Sequence, residues 1–270
     1  MKIDRVLLAS NNNKLYYEFW NHASKVYHEK FGLKPTLIWV GTEEEKKECN
    51  ISEEFGEVII TQPNDNYPIN SQCTLASYWA TQFFPEDVCF ICGIDEIALS
   101  SCFIKEMVKE YSDDDYLMLI ADAYGTQHWS IPNSVSPSGY HVGKGKIFSD
   151  IYQFKKEFDE TIEIVMSSKI LEKYLEANNG GYASENLNWG MDETYISYKL
   201  REYNGDFKLI SLNNFTIMQN TRIECFRNTE TPYNMDKLRN GEYSHSHLCR
   251  PFSNHKNYIL NMFNNIPKSI

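Results

Sequence analysis

The stretch VCFICGIDEIALS (88–100) delivers two carboxylates, Asp95 and Glu96, straight out of an apolar strand-like run, with a second apolar stretch behind them. Carboxylates so placed can hold a divalent cation, take up a proton, or simply cap the element that follows. Other reactive side chains cluster at similar boundaries. Ser10-Asn11-Asn12-Asn13 closes the apolar run RVLLA, and Asp122 follows YLMLIA. Asp192 and Glu193 open a helical pattern just after Trp189, Lys144 and Lys146 sit in VGKGK, and HSHLCR groups His245, His247, Cys249 and Arg250.

Several familiar chemistries do not match these groups. VGKGK lacks the phosphate-loop spacing and the Ser/Thr that follows its lysine. No G-x-S-x-G supports a serine hydrolase. His245, His247 and Cys249 have no second Cys/His pair at zinc-finger spacing. Cys89 and Cys92 form a C-x-x-C, but on a strand their side chains point to opposite faces. Asp113-Asp114-Asp115 stands before a strand and reads as a solvated turn.

The elements that must position the acids follow from periodicity. Strand-like runs cover 5–10, 35–41, 57–63, 88–92, 115–122 and 207–212. Between them lie a helical stripe over 14–32 that stops at Gly32, a helix over 70–84 capped by Asn70 or Ser71, and an amphipathic helix over 101–112. Helical patterns also cover 153–177 and 191–203, the latter with its acids in the first turn. Residues 213–270 are Asn-rich and irregular until a short final helix at about 255–265. Alternation of this kind predicts an α/β fold with a mostly parallel central sheet flanked by helices. No linker interrupts it, so a single domain over 1–270 is expected. Ligands of such sheets bind outside the carboxyl ends of the strands. Ser10, Asn11, Asp95 and Asp122 all stand at such ends and describe one mouth.

The totals bound the function. With 42% hydrophobic and 14% aromatic residues the chain of 270 is globular. A formal net charge of −11 disfavours a nucleic-acid or anionic-membrane surface. The seven scattered cysteines suggest reduced thiols. MKIDRVLLAS has no long apolar core and is not expected to be a signal peptide, and no run of membrane-spanning length occurs, so a cytoplasmic protein is the expectation.

Taken in order, the motifs resemble nucleotide-sugar glycosyltransferases of the GT-A fold, in particular a group from surface-polysaccharide loci and from large viruses and phages. VLLASNNNKLYYEFWNHASKVY resembles the nucleotide-binding opening, and CFICGIDEIALS lies where the family carries its D-x-D strand end. SGYHVGKGKIFSDIY resembles a segment lining the sugar-nucleotide pocket. NWGMDETYISYKL resembles the stretch that begins an acceptor-side helix, and SHSHLCRPF a late H-x-x-R-P element. The similarity spans about residues 5–260. It divides the domain into a nucleotide-binding half, about 1–125, and an acceptor half with a C-terminal closing segment, 126–270.

The resemblance implies transfer of a hexose or deoxyhexose from a nucleoside diphosphate sugar to a hydroxyl of a glycan acceptor, with inversion. Mn²⁺ or Mg²⁺ would be held by Asp95 and His247 and would offset charge on the leaving diphosphate. Ser10 and Asn11 would hold the nucleotide, Asp122, Lys144 and Arg250 would contact sugar or phosphate, and Asp192 would be the base, with Trp189 stacking on a sugar. Gly93 departs from the pattern by standing where the first acid of D-x-D belongs. That departure opens metal-independent turnover, with Arg250 and Lys144 or Lys146 carrying the charge. Glu96 is the available substitute for the lost acid, but along an extended segment it would point away from Asp95. Two other readings remain open: a non-catalytic sugar-nucleotide or glycan-binding relative, and a sugar-1-phosphate nucleotidyltransferase, although ASNNNK lacks the latter's glycine-rich loop.

Overall fold

The computed structural model describes residues 1–119, 138–167, 191–210, 222–225 and 228–269. In chain order its strands are β1 (Arg5–Ser10), β2 (Lys34–Val40), β3 (Glu57–Thr61), β4 (Val88–Ile91), β5 (Glu96–Ala98), β6 (Leu117–Leu119), β7 (His141–Lys144), β8 (Lys208–Ile210), β9 (Arg222–Glu224) and β10 (His245–His247). Seven of them form a central sheet in the order β3-β2-β1-β4-β7-β6-β8. Its pairs are parallel except where β7 runs antiparallel to both β4 and β6. The expected α/β architecture with a mostly parallel sheet is therefore what the chain forms.

Alternation along the strands divides the core. Val6 and Leu8 pack into one hydrophobic cluster with Trp20, Tyr27 and Phe90, whereas Leu7 faces the other with Tyr78, Trp79 and Phe148. Leu37 and Trp39 against Ile38 and Val40 repeat the pattern one strand over. Strands buried on both faces must be apolar at every position, which is why they read as continuous runs.

Local chemistry sets the element ends. Asn13 accepts from Leu15 N at 3.1 Å and starts a short helix, Lys14–Tyr17, separate from the longer Trp20–Phe31. Gly32, at φ 68°, ends the latter in the left-handed conformation that glycine adopts at little cost. Helix Ile69–Trp79 begins earlier than expected: Pro68 stands at its N-cap, so neither Asn70 nor Ser71 caps it. The amphipathic pattern over 101–112 yields only a short π-type segment, Cys102–Glu106.

The apolar stretch after the acids is not the start of a helix. Residues 96–98 leave the central sheet and enter a second one, β5-β10-β9, in which β10 runs antiparallel to β5 and parallel to β9. Its register sets Glu96, His247 and Glu224 side by side in one row. Past the ends of the two parallel neighbours, Cys225 and Cys249 are joined in a disulfide, which corrects the expectation of reduced thiols throughout; Cys49, Cys73, Cys89, Cys92 and Cys102 are free. Among the described residues, no helix is long and apolar enough to cross a membrane.

Candidate functional site

A cleft opens at the carboxyl ends of β1 and β4. Its wall from β1 and helix Ile69–Trp79 carries neutral polar groups: Ser10, Asn11, Asn70, Thr74 and Ser77. The rest of its lining includes a charged group, with Asp95 and Glu96 after β4 and with His247 and Arg250 from and after β10. Tyr16, Ser138 and Gly139 complete the lining. Ser10, Asn11, Asp95, His247 and Arg250 are thus brought together although 240 residues of chain separate the first from the last.

The charged group is a network. His247 contacts Glu224 Oε1 through Nδ1 at 2.7 Å and Asp95 Oδ2 through Nε2 at 3.2 Å. Burial opposes the imidazolium, but the two carboxylates outweigh it and lift the His247 pKa to about 10. Asp95 is buried, which raises a carboxyl, yet the His247 hydrogen bond and the charges of His247 and Arg250 hold it below the usual range. Arg250 Nε lies 3.4 Å from Asp95 Oδ2, and Arg250 also donates to Tyr16 Oη at 2.6 Å. Burial pushes the Tyr16 phenol up to about 12. Arg222, on β9, bonds Glu224 at 2.8 Å and stands 3.7 Å from Glu96 Oε1.

Glu96 does not point away from Asp95 as an extended segment would require. Residues 93–96 form a turn closed by Glu96 N to Gly93 O at 3.0 Å. The side chain folds back, so that Oε2 accepts from Gly93 N at 3.1 Å. Burial raises the Glu96 pKa.

The residues present fit part of a divalent-cation site. A separation of 3.2 Å between Asp95 Oδ2 and His247 Nε2 is close to the spacing of adjacent ligands around one six-coordinate ion, which would have to displace the imidazolium proton to bind there. The carboxylate on the far ring nitrogen fixes the imidazole, an arrangement common to metal-ligating histidines. The carboxylate oxygen suits Mn²⁺ or Mg²⁺, and the imidazole, a donor that favours transition metals, makes Mn²⁺ the better fit of the two. Among the described residues no three His, Cys, Asp or Glu side chains converge as a full ligand set, so phosphate oxygens would have to complete one.

Other expected residues lie elsewhere. Lys144 pairs with Val88 at the start of β4, three residues or roughly 10 Å back from the mouth. Its ammonium binds Asp114 at 2.8 Å, and neither it nor Lys146 lines the cleft. The register thus sets both away from the cleft. Asp192 does not line the cleft either: it is 3% exposed and sits behind it, bonded to the hydroxyls of Thr74 and Ser138, which do. Burial raises its pKa and those hydrogen bonds lower it, with a net rise. Asp122 and Trp189 fall outside the described residues. Thr74, Ser138, Tyr16, Arg222 and Glu224 were missed. The alternation Arg222-Ile223-Glu224, with only Ile223 in the core, carried a strand signal that could have identified the last pair.

Comparison with known proteins adds likeness of fold. No protein-family model matches the chain, and no curated protein matches it. Among solved structures it is similar to the glycosyltransferase GlyE of Streptococcus pneumoniae TIGR4, at 14% identity and TM-score 0.44, covering 80% of this chain and 47% of that one. It is also similar to the galactosyltransferase LgtC in complex with donor and acceptor sugar analogues, at 10% identity and TM-score 0.49, covering 98% and 97%. An active-site mutant of LgtC gives 11% identity and TM-score 0.46 over 91% and 87%. At such distances any functional argument rests on the cleft's own residues.

Proposed function

We propose that the protein is a glycosyltransferase that moves a sugar from a nucleoside diphosphate sugar to a hydroxyl of a glycan acceptor, assisted by a divalent cation. The observation that carries this reading is the mixed lining of one cleft: neutral amides and hydroxyls from β1 and helix Ile69–Trp79, together with two carboxylates, an imidazole and a guanidinium. A nucleoside needs hydrogen-bonding groups without charge, and a diphosphate needs cations. Ser10 and Asn11 face the nucleoside, and Arg250 presents a guanidinium fork to phosphate oxygens, held in place by Tyr16 and Asp95.

Asp95 and His247 would hold Mn²⁺ or Mg²⁺, which when bound supplies positive charge to the departing diphosphate. Glu224 fixes the His247 ring. The carboxylates on the lining are Asp95 and Glu96, both on the phosphate side. Asp192 acts on the cleft through Thr74 and Ser138, whose hydroxyls it orients, so among the described residues it is not a base in direct contact with an acceptor.

Incubation with UDP-, GDP-, dTDP- and CDP-sugars, with Mn²⁺ or with EDTA, tests the reading. Release of nucleoside diphosphate that rises on adding a glycan acceptor and falls at least ten-fold in EDTA is the expected result. Pyrophosphate formation from sugar 1-phosphate and NTP would make the protein a nucleotidyltransferase. Tight nucleotide binding without turnover would make it a binder. Full turnover in EDTA would transfer the cation's role to Arg250 and the His247 imidazolium.

A further inference from the structure

Gly93 has no side chain, and the space where one would stand is bordered by two carboxylates. A Cβ built there would lie 3.0 Å from Glu96 Oε2 and 3.1 Å from Asp95 Oδ1. On the other side of the same Glu96 oxygen, a Cβ at Gly139 would come within 2.8 Å. Room for the folded-back carboxylate thus depends on two glycines from distant parts of the chain. Tyr140, which follows Gly139, adopts φ 65°, a conformation that non-glycine residues rarely enter, while its N–H bonds Ile91 O at 2.6 Å. That bond pins the segment carrying Gly139 to the end of β4. Burying a carboxylate is costly unless something uses its charge, and the local partners of Glu96 take only part of it. Gly93 N is neutral, Arg222 stands at 3.7 Å while making its shorter pair with Glu224, and the nearby His247 charge is shared with Asp95 and Glu224, which bond it directly.

We infer that Glu96 supplies a second negative charge to the divalent-cation site, beside Asp95, by a turn that brings the residue three positions on back over Gly93. The inference rests on the proposed cation-assisted reading and deepens it. Glu96, His247 and Glu224 share one row of the second sheet, so the register that aims His247 at Asp95 also sets Glu96 on the same face. Since no three acid or imidazole side chains converge among the described residues, Glu96 acts at the edge of the site, through charge and through cation-bound water.

The test measures Mn²⁺ affinity directly, by the electron paramagnetic resonance of free Mn²⁺ titrated with protein, alone and with UDP, GDP, dTDP or CDP. Wild type is compared with Asp95→Asn, Glu96→Gln, Glu96→Ala, Gly93→Asp and the double variant Gly93→Asp/Glu96→Ala, and the melting temperature of each is recorded. Glu96→Gln, which keeps the shape, is expected to weaken Mn²⁺ binding about ten- to a hundred-fold. Gly93→Asp alone is expected to gain nothing, because its Cβ meets the resident carboxylate. The double variant, in which that carboxylate is gone, is expected to bind more tightly than Glu96→Ala. A Glu96 that only braces the turn would lower the melting temperature and leave Mn²⁺ affinity unchanged. If Glu96→Gln binds Mn²⁺ as wild type does while Asp95→Asn does not, the inference fails and the cation reading stands. If Asp95→Asn also binds normally, the cation reading fails with it.

Discussion

Arg250 enters the cleft already oriented, one nitrogen on Tyr16 and another beside Asp95. Charge-assisted hydrogen bonds of this type contribute about 1.5–3 kcal/mol each. Arg250→Ala is therefore expected to weaken nucleoside diphosphate binding about ten- to a hundred-fold by calorimetry, and Arg250→Lys to recover only part, since an ammonium cannot span two phosphate oxygens. Asp192 separates two roles that its sequence position could not. A residue that orients Thr74 and Ser138 should, as Asp192→Asn, weaken donor binding along with turnover. A direct base would lower kcat by about 10²–10⁴-fold and leave donor affinity intact. Its raised pKa also has a thermodynamic consequence. The folded chain keeps this proton at pH values where the unfolded chain, with a carboxyl near 3.9, has lost it. Wild-type stability therefore rises as pH falls from the folded value toward about 4, and is lower and level above that window. Asp192→Asn lacks this dependence, so the melting temperature of the variant minus that of wild type should be largest at neutral pH and shrink on acidification. Asp95, His247 and Arg250 were legible as candidates because strand ends and a late motif marked them. The withdrawal of Asp192 behind two hydroxyls was not, since burial depth depends on neighbours that sequence spacing does not name.

At the level of elements, the glycines of VGKGK have a packing explanation. A Cβ at Gly145 would run into the carbonyl oxygens of Thr81 and Phe84. Gly145 N and Lys146 N bond Asp87 O and Pro85 O at 3.1 and 3.0 Å, docking helix Gly145–Tyr152 on the turn before β4. Gly145→Ala is expected to cost about 1–3 kcal/mol, the usual range for overpacking, and a urea melt would register it. Helices of the first half were readable because their periods repeat several times, and its longer strands because they are continuous apolar runs. The second sheet was not: β5, β9 and β10 have three residues each, so that even the alternation at 222–224 is brief, and the β5–β10 pairing joins segments more than a hundred residues apart. The segment over 101–112 shows the converse, a helical pattern of apolar residues that the packed chain uses for a short π-type turn.

Across the whole molecule, the charged group exists only where two sheets meet. The central sheet supplies the neutral side and the strand end at Gly93; the second sheet, drawn from 96–98, 222–224 and 245–247, carries the cations across to it. Asp95 and His247 are 152 residues apart in sequence. During synthesis, β1 to β4 and helix Ile69–Trp79 leave the ribosome long before β10. The neutral part of the cleft can therefore form early, while Asp95 and Glu96, as yet without His247 or Arg250, stand as two neighbouring acids facing water. A growing chain of this protein would carry a cleft with an anionic rim, and Arg222, His247 and Arg250 would offset that charge only in the last stretch of translation.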